Sequence, residues 1–310
     1  MHHHCGHAHH SHSHNDSRPH FGKSFLIGAV INIAFIAVEV FYGLVSNSLA
    51  LLADAGHNAG DVLSLFIAWG AYSITMKSKP TARFTYGLGG TSILAALINA
   101  SLIMVAIGAI GWEAISRFKS PHLPGGVMMM VVAGVGVFVN GITAWLFSRG
   151  ASHDLNMRGV FQHMFADAII SFAVLVSGVL IQLTAWTWVD PVITLVILAV
   201  IIAGTWQLLK DSLSLALQAV PTNIDPQSVR EFLGTAPGVK EVHDLHIWAT
   251  STSDAALSAH LLMPSGHPGD AFITELSNTL QAKFGISHAT IQIELGDTGV
   301  TCKLAPDHVI

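Results

Sequence analysis

The chain has 310 residues, of which 51% are hydrophobic and only 11% charged, whereas soluble domains carry about a quarter charged residues. That balance excludes a purely soluble protein, and a formal net charge of -5 gives no support to wholesale nucleic-acid binding. The two cysteines, Cys5 and Cys302, stand near opposite ends and make neither a disulfide framework nor a paired-cysteine zinc motif.

In chain order, histidine dominates the start. Of 19 in the chain, nine fall within the first 20 residues: His2, His3, His4, His7, His9, His10, His12, His14 and His20. The stretch has no apolar core and no small-residue cleavage site, so it is not a secretory signal. Interruption by Gly, Ala and Ser favours a native metal-collecting tail over an expression tag, and residues 1–23 read as a His-rich cytoplasmic tail.

Six apolar segments follow, at about 24–45, 49–75, 91–117, 125–148, 159–183 and 189–211. Each is near the ~20 residues that cross a bilayer as a helix. Single strands are excluded, because unpaired backbone groups in lipid are too costly. Residues 24–221 therefore read as a six-helix transmembrane domain. One side collects Arg18, Lys23, Lys77, Lys79, Arg83, Arg149, Arg158 and Lys210; the other has Arg117 and Lys119. The positive-inside rule then puts both termini in the cytoplasm of a cell-membrane protein.

After Pro221 the texture changes. Residues 222–310 predict a helix at 226–235, strands near 239–250 and 255–264, a helix at 269–284 and a strand at 288–295. This αββαβ order is an α+β, ferredoxin-like cytoplasmic domain with helices on one face of a three-stranded sheet. It holds four Lys/Arg against ten Asp/Glu, the wrong sign for a nucleic-acid module.

Ionisable groups within membrane helices are costly and mark ion paths or binding sites. The second segment carries LLADAGHNAGDVLSL, with His57 and Asp61 four apart on one face and Asp54 a turn earlier. The fifth carries FQHMFADAIIS, where His163 and Asp167 repeat the spacing. Two imidazoles and two carboxylates suit a tetrahedral Zn²⁺ site. The plain alternative is a pair of intrahelical His–Asp hydrogen bonds or a polar clip, which one pair alone would not distinguish. Two identical pairs at mid-segment favour the metal.

Asn32, Glu39 and Ser46 recur every seven residues on the first segment, a stripe expected to face the bundle and to serve either packing or the ion path. Glu113 is expected to be solvated near a helix end. Asp190–Pro191 reads as the start signal of the sixth helix. In the soluble region, His288 and Glu294 share one face of the last strand by two-residue alternation. With His243 in VHDLHIW and His260 in SAHLLM they make a candidate second site, His243, His260, His288 and Glu294, against a reading as ordinary surface histidines.

The runs SNSLALLADAGHNAGDVLSL and NMRGVFQHMFADAIIS, with the motifs HDLHIW and HATIQIE, resemble the cation diffusion facilitators over about residues 24–296. The resemblance implies a homodimer of six-helix protomers with a metallochaperone-like cytoplasmic domain, and metal/proton antiport by alternating access. By that match His57, Asp61, His163 and Asp167 are the transport ligands, and a His/Asp set is similar to the zinc-preferring branch. Zn(II) is then transported substrate and possible regulatory ligand, with no prosthetic group; cadmium, cobalt or nickel are further substrates in the same class. Two departures stand out. YGLGGTSILAA has Gly90 and Ser92 where relatives often carry a charged pair, and LALQAVP lacks an acidic residue often found there.

A membrane-anchored metal sensor is the rival, but an anchor needs no buried ligands in two separate helices. An enzyme is not expected: no His-Glu-x-x-His motif occurs, which sets aside an intramembrane metalloprotease. The partners expected are divalent metal ions, protons, lipid and a second copy of the chain, and no nucleic acid.

Overall fold

The computed structural model describes residues 23–77, 79–148, 155–296 and 302–305. The His-rich stretch before Lys23 lies outside them. Six long helices come first: α1 (Lys23–Val45), α2 (Leu49–Lys77), α3 (Thr91–Arg117), α4 (Gly126–Ser148), α5 (Leu155–Thr184) and α6 (Val189–Ala216). Helices α3 to α6 are each long and apolar enough to cross a membrane among the described residues, and α1 contributes the apolar stretch Asn32–Val45. Outward-facing Val105, Trp112, Phe138 and Leu183 are each more than two-thirds exposed in the single chain, as expected for surfaces whose solvent is lipid. The bundle core is Leu51 and Ala53 of α2, Ile107 of α3, Met129 and Ala133 of α4, Ile170 and Val174 of α5, and Ile197 and Leu198 of α6.

Small residues set the closest helix approach. A Cβ on Gly126 would stand 2.8 Å from the Gly178 carbonyl oxygen, and one on Gly178 2.9 Å from that of Gly126. Backbones in contact gain dispersion that lipid does not supply, which is how small residues hold membrane helices together. The α4–α5 pair is accordingly the most extensive in the bundle.

The end of the bundle away from the soluble domain is tied by a buried polar knot. α1 stops where Asn47 turns left-handed at φ 54°, a conformation Asn tolerates. The Asp190 carboxylate, at the start of α6, accepts from Ser48 Oγ (2.7 Å), Leu49 N (2.8 Å) and Ala50 N (3.2 Å). It thus caps α2 instead of its own helix, whose N-cap Trp188 makes no side-chain bond. Arg117 lies 3.6 Å from Asp190 Oδ2 and donates to the Asn47 carbonyl (2.6 Å) and Asn47 Oδ1 (2.7 Å). α6 does start at the expected place, with Asp190 and Pro191 in its first turn, but the cap expected of Asp190 is corrected: its carboxylate serves the free amides of α2. On α1 the expected stripe is only partly internal. Glu39 and Ser46 are buried, whereas Asn32 is exposed in the single chain.

The soluble unit follows as α7 (Pro226–Gly234), β1 (Glu241–Ala249), β2 (Ala255–Leu262), α8 (Asp270–Phe284) and β3 (Ile286–Glu294). Asp225 caps α7 by accepting from the Gln227 and Ser228 amides, with Pro226 at the first helical position. The sheet order is β1-β2-β3, with β1 antiparallel and β3 parallel to the central β2. Val229, Leu233, Leu276 and Leu280 of the two helices pack on Leu257, Ala259 and Leu261 of β2.

The α2–α3 connection docks on this unit. Tyr86 stacks edge-on against Trp248 (6.4 Å between centroids) and His288 (5.3 Å), and Thr252 N donates to Ser92 Oγ at 3.0 Å. Gly89 lies so close that a Cβ there would sit 2.8 Å from the Thr250 carbonyl oxygen.

Candidate metal centre

α2 and α5 face each other at the level of their His–Asp pairs. His57 Nε2 is 3.3 Å from Asp167 Oδ1, and His57 Nδ1 is 3.9 Å from Asp61 Oδ2. His163 Nε2 lies 3.5 Å from Asp61 Oδ2 and 3.7 Å from Asp167 Oδ2. Each imidazole thus touches the carboxylate of the opposite helix as well as its own. Ligand atoms about 2.0–2.2 Å from a tetrahedral Zn²⁺ stand about 3.3–3.6 Å apart; one ligand atom each of His57, Asp61 and Asp167 lies within 4.8 Å of the others, and His163 stands against both carboxylates with its ring centroid 6.3 Å from that of His57. Asp61 Oδ2 and Asp167 Oδ1 are shielded from solvent and accept no hydrogen bond. Two anionic oxygens without donors are a costly arrangement that a cation relieves. Exposure grades across the cluster, from 4% at Asp167 to 45% at His163, so one side is closed and the other open.

One helical turn from His57, the buried carboxylates of Glu39 and Asp54 are held by Asn58 Nδ2 (3.0 Å) and Ser171 Oγ (3.0 Å).

The soluble unit carries a second cluster. His243 of β1 and His260 of β2 are cross-strand partners with ring centroids 5.4 Å apart. Glu294 at the end of β3 reaches both, Oε2 at 3.2 Å from His243 Nε2 and Oε1 at 3.0 Å from His260 Nδ1. Cys302 Sγ is 3.7 Å from His260 Nδ1. Ligand atoms of His243, His260, Glu294 and Cys302 all lie within 4.8 Å of one another. Both ring nitrogens of buried His243 lack a hydrogen-bond partner. A bulge between His243 and His246 throws Asp244 left-handed at φ 49°, and its carboxylate meets His260 Nε2 at 3.3 Å. Burial alone would raise the Glu294 carboxyl; hydrogen bonds from Cys302 and Gln292 and the fields of His243 and His260 outweigh it, leaving it below the ordinary glutamate value.

A family model described as the cation efflux transmembrane domain matches residues 25–215, and one described as the cation efflux protein cytoplasmic domain matches residues 221–295. The chain belongs to the cation efflux family. Among its relatives, the metal cation efflux system protein CzcD of Cupriavidus metallidurans is 36% identical over 289 residues, covering 93% of this chain and 90% of that one. The zinc transporter ZitB of Escherichia coli is 33% identical over 290 residues, 92% of each chain. The cadmium, cobalt and zinc/H(+)-K(+) antiporter of Bacillus subtilis is 31% identical over 289 residues, 91% of each. Among solved structures, the metal-bound C-terminal domain of the CzcD transporter from Cupriavidus metallidurans is 38% identical over 23% of this chain and all of that one, at a TM-score of 0.21.

This cation efflux protein brings together His57, Asp61, His163 and Asp167, and, in the soluble unit, His243, His260 and Glu294. It does not bring His288 to them. His288 pairs with Ala256, whereas His260 pairs with Gln292. Four residues of strand, about 13 Å, separate the two positions, and the His288 ring packs on Tyr86 instead. Sharing a strand face is not sharing a site. Cys302 takes the fourth place, and a lone cysteine beyond the last strand offers no spacing by which to find it. Asp244 was missed because bulges leave no periodic mark.

Proposed function

We propose that this cation efflux protein exports zinc from the cytoplasm in exchange for protons, with His57, Asp61, His163 and Asp167 as the ligands in transit. The observation that carries the reading is the convergence of two imidazoles and two carboxylates from α2 and α5, each imidazole against the carboxylates of both helices, a donor set that zinc accepts. The names of the relatives ZitB and CzcD support both the metal and the direction. Cadmium, cobalt and nickel share this ligand chemistry, and affinity order alone does not separate them.

The chemistry follows from protonation. Metal requires neutral imidazole and ionised carboxylate, so binding releases protons and protonation expels the ion. Histidine ordinarily titrates near ~6.5, so a modest pH difference across the membrane drives the exchange. Rocking of the helices around a midplane site gives each side access in turn. The protein sits in the cell membrane with both termini cytoplasmic, as the Lys/Arg asymmetry requires, and works as a homodimer joined through its soluble domains.

The soluble cluster binds zinc as a regulatory ligand through His243, His260, Glu294 and Cys302, an N, N, O, S set that zinc accepts. Zinc flux into proteoliposomes under an imposed pH gradient tests the function: flux that collapses with the gradient supports exchange, and gradient-independent flux excludes it.

A further inference from the structure

Glu39 of α1 and Asp54 of α2 are both 0% exposed. Asp54 lies three residues before His57, about 4.5 Å of helix rise towards the bundle end away from the soluble domain. Each carboxyl has one oxygen with a dedicated donor: Asn58 Nδ2 serves Glu39 Oε2, and Ser171 Oγ serves Asp54 Oδ2. The remaining oxygens, Glu39 Oε1 and Asp54 Oδ1, are shielded from solvent and meet no donor, and Asn58, the donor to Glu39, stands four residues and one turn from Asp54 on the same face of α2, which brings the two carboxyl groups to one α1–α2 contact. Two buried carboxylates in one contact, each with an oxygen that no donor reaches, repel one another, and a proton on one relieves both the repulsion and the unmet acceptor.

The surrounding charges point the same way. The ionisable groups whose fields reach the pair are Asp167 of α5 and His57 of α2. α4, the other neighbour of α1, carries no ionisable residue. Glu113, Arg117 and Asp190, on α3 and α6, sit together in the knot at the far end. Without a proton on the pair, Glu39, Asp54, Asp61 and Asp167 would be four carboxylates within two helical turns, facing only two imidazoles.

We propose that Glu39 and Asp54 form a proton-binding pair, sharing one proton in the metal-free protein and releasing it when a dication occupies the His57–Asp61–His163–Asp167 cluster. The proposal rests on the transport-site reading and adds to it a proton carried by residues that are not ligands. A double positive charge one to two turns away favours the doubly ionised pair; its departure restores the shared proton. The net charge of the buried polar region then changes less across the cycle than ligand protonation alone would allow.

Calorimetric titration of the full-length protein in micelles with zinc, in two buffers of different protonation enthalpy and at several pH values, counts the protons released per zinc. Glu39→Gln and Asp54→Asn, near-isosteric changes on different helices, should each lower that count by about one. Both should flatten the rise of zinc affinity with pH, because the altered pair is fixed at one negative charge, and at acid pH their affinity should stay within about threefold of wild type. An unchanged proton count in variants that bind zinc would overturn the proposal. So would loss of zinc binding by both folded variants, which would make the pair ligands or scaffold. Asp61→Ala is the control for the underlying reading: if it binds zinc as wild type does, the transport-site assignment fails, whatever the pair does.

Discussion

Asp190 holds the first turn of α2 in place, and α2 carries His57 and Asp61, so its removal should destabilise the bundle without touching a metal ligand. Asp190→Ala deletes the acceptor for Ser48 Oγ and for the Leu49 and Ala50 amides, and takes from buried Arg117 the carboxylate 3.6 Å away. Loss of a helix cap costs about 1 kcal/mol. Leaving a buried polar partner without its acceptor costs about 1–3 kcal/mol, at its lower end here because Arg117 keeps both contacts with Asn47. The sum is about 2–3 kcal/mol, and Asp190→Asn, which keeps one oxygen acceptor and the volume, should cost about 1 kcal/mol. Unfolding by SDS in mixed micelles, followed by the fluorescence of neighbouring Trp186 and Trp188, reads both. The folded fraction should still bind zinc. Asp190→Ala within about 0.5 kcal/mol of wild type, the scale of an ordinary surface change, would mean that the carboxylate does not hold the start of α2.

The joint between bundle and soluble unit should fail on Gly89→Val, whose side chain meets the Thr250 carbonyl: limited proteolysis near residues 217–222 should quicken, while the isolated fragment 222–310, which lacks residue 89, gives the melting temperature of the undocked unit. Zinc at about 100 times its Kd should stabilise that fragment by about 2.7 kcal/mol; His260→Ala and Cys302→Ser should reduce the shift and His288→Ala should not, as calorimetry would read. Asp225, fully exposed, is held below the ordinary aspartate value by its bonds from the Ser228 hydroxyl and amide, which outweigh a small desolvation, with the Gln227 amide adding to them. A lowered value means its cap is intact above about pH 4 and is lost as pH falls through the folded value, so Asp225→Asn should flatten the acid limb of the fragment's stability curve below that pH.

Long apolar runs made the helices legible: the six transmembrane helices and the αββαβ order all appear within a few residues of where hydropathy and alternation put them. Spacing within one helix was equally plain, since His57 and Asp61 share a face whatever α2 packs against. What lay hidden depends on register between elements. Nothing in α1 alone says that Glu39 meets Asn58 of α2, nor in α6 alone that Asp190 caps another helix. His288 looked equivalent to Glu294 by alternation, yet the pairing of β2 with β3 separates His288 from His260 by four positions. Cys302 lies beyond the last described strand and Asp244 sits in a bulge, and neither position carries a period.

Zinc flux through purified Asp61→Ala and Asp167→Ala in proteoliposomes, under a fixed pH gradient, decides whether His57, Asp61, His163 and Asp167 are the transport ligands. A tetrahedral site does not spare a ligand, so both variants should reconstitute as folded protein and carry no zinc. Flux at the wild-type rate in either one would contradict that assignment.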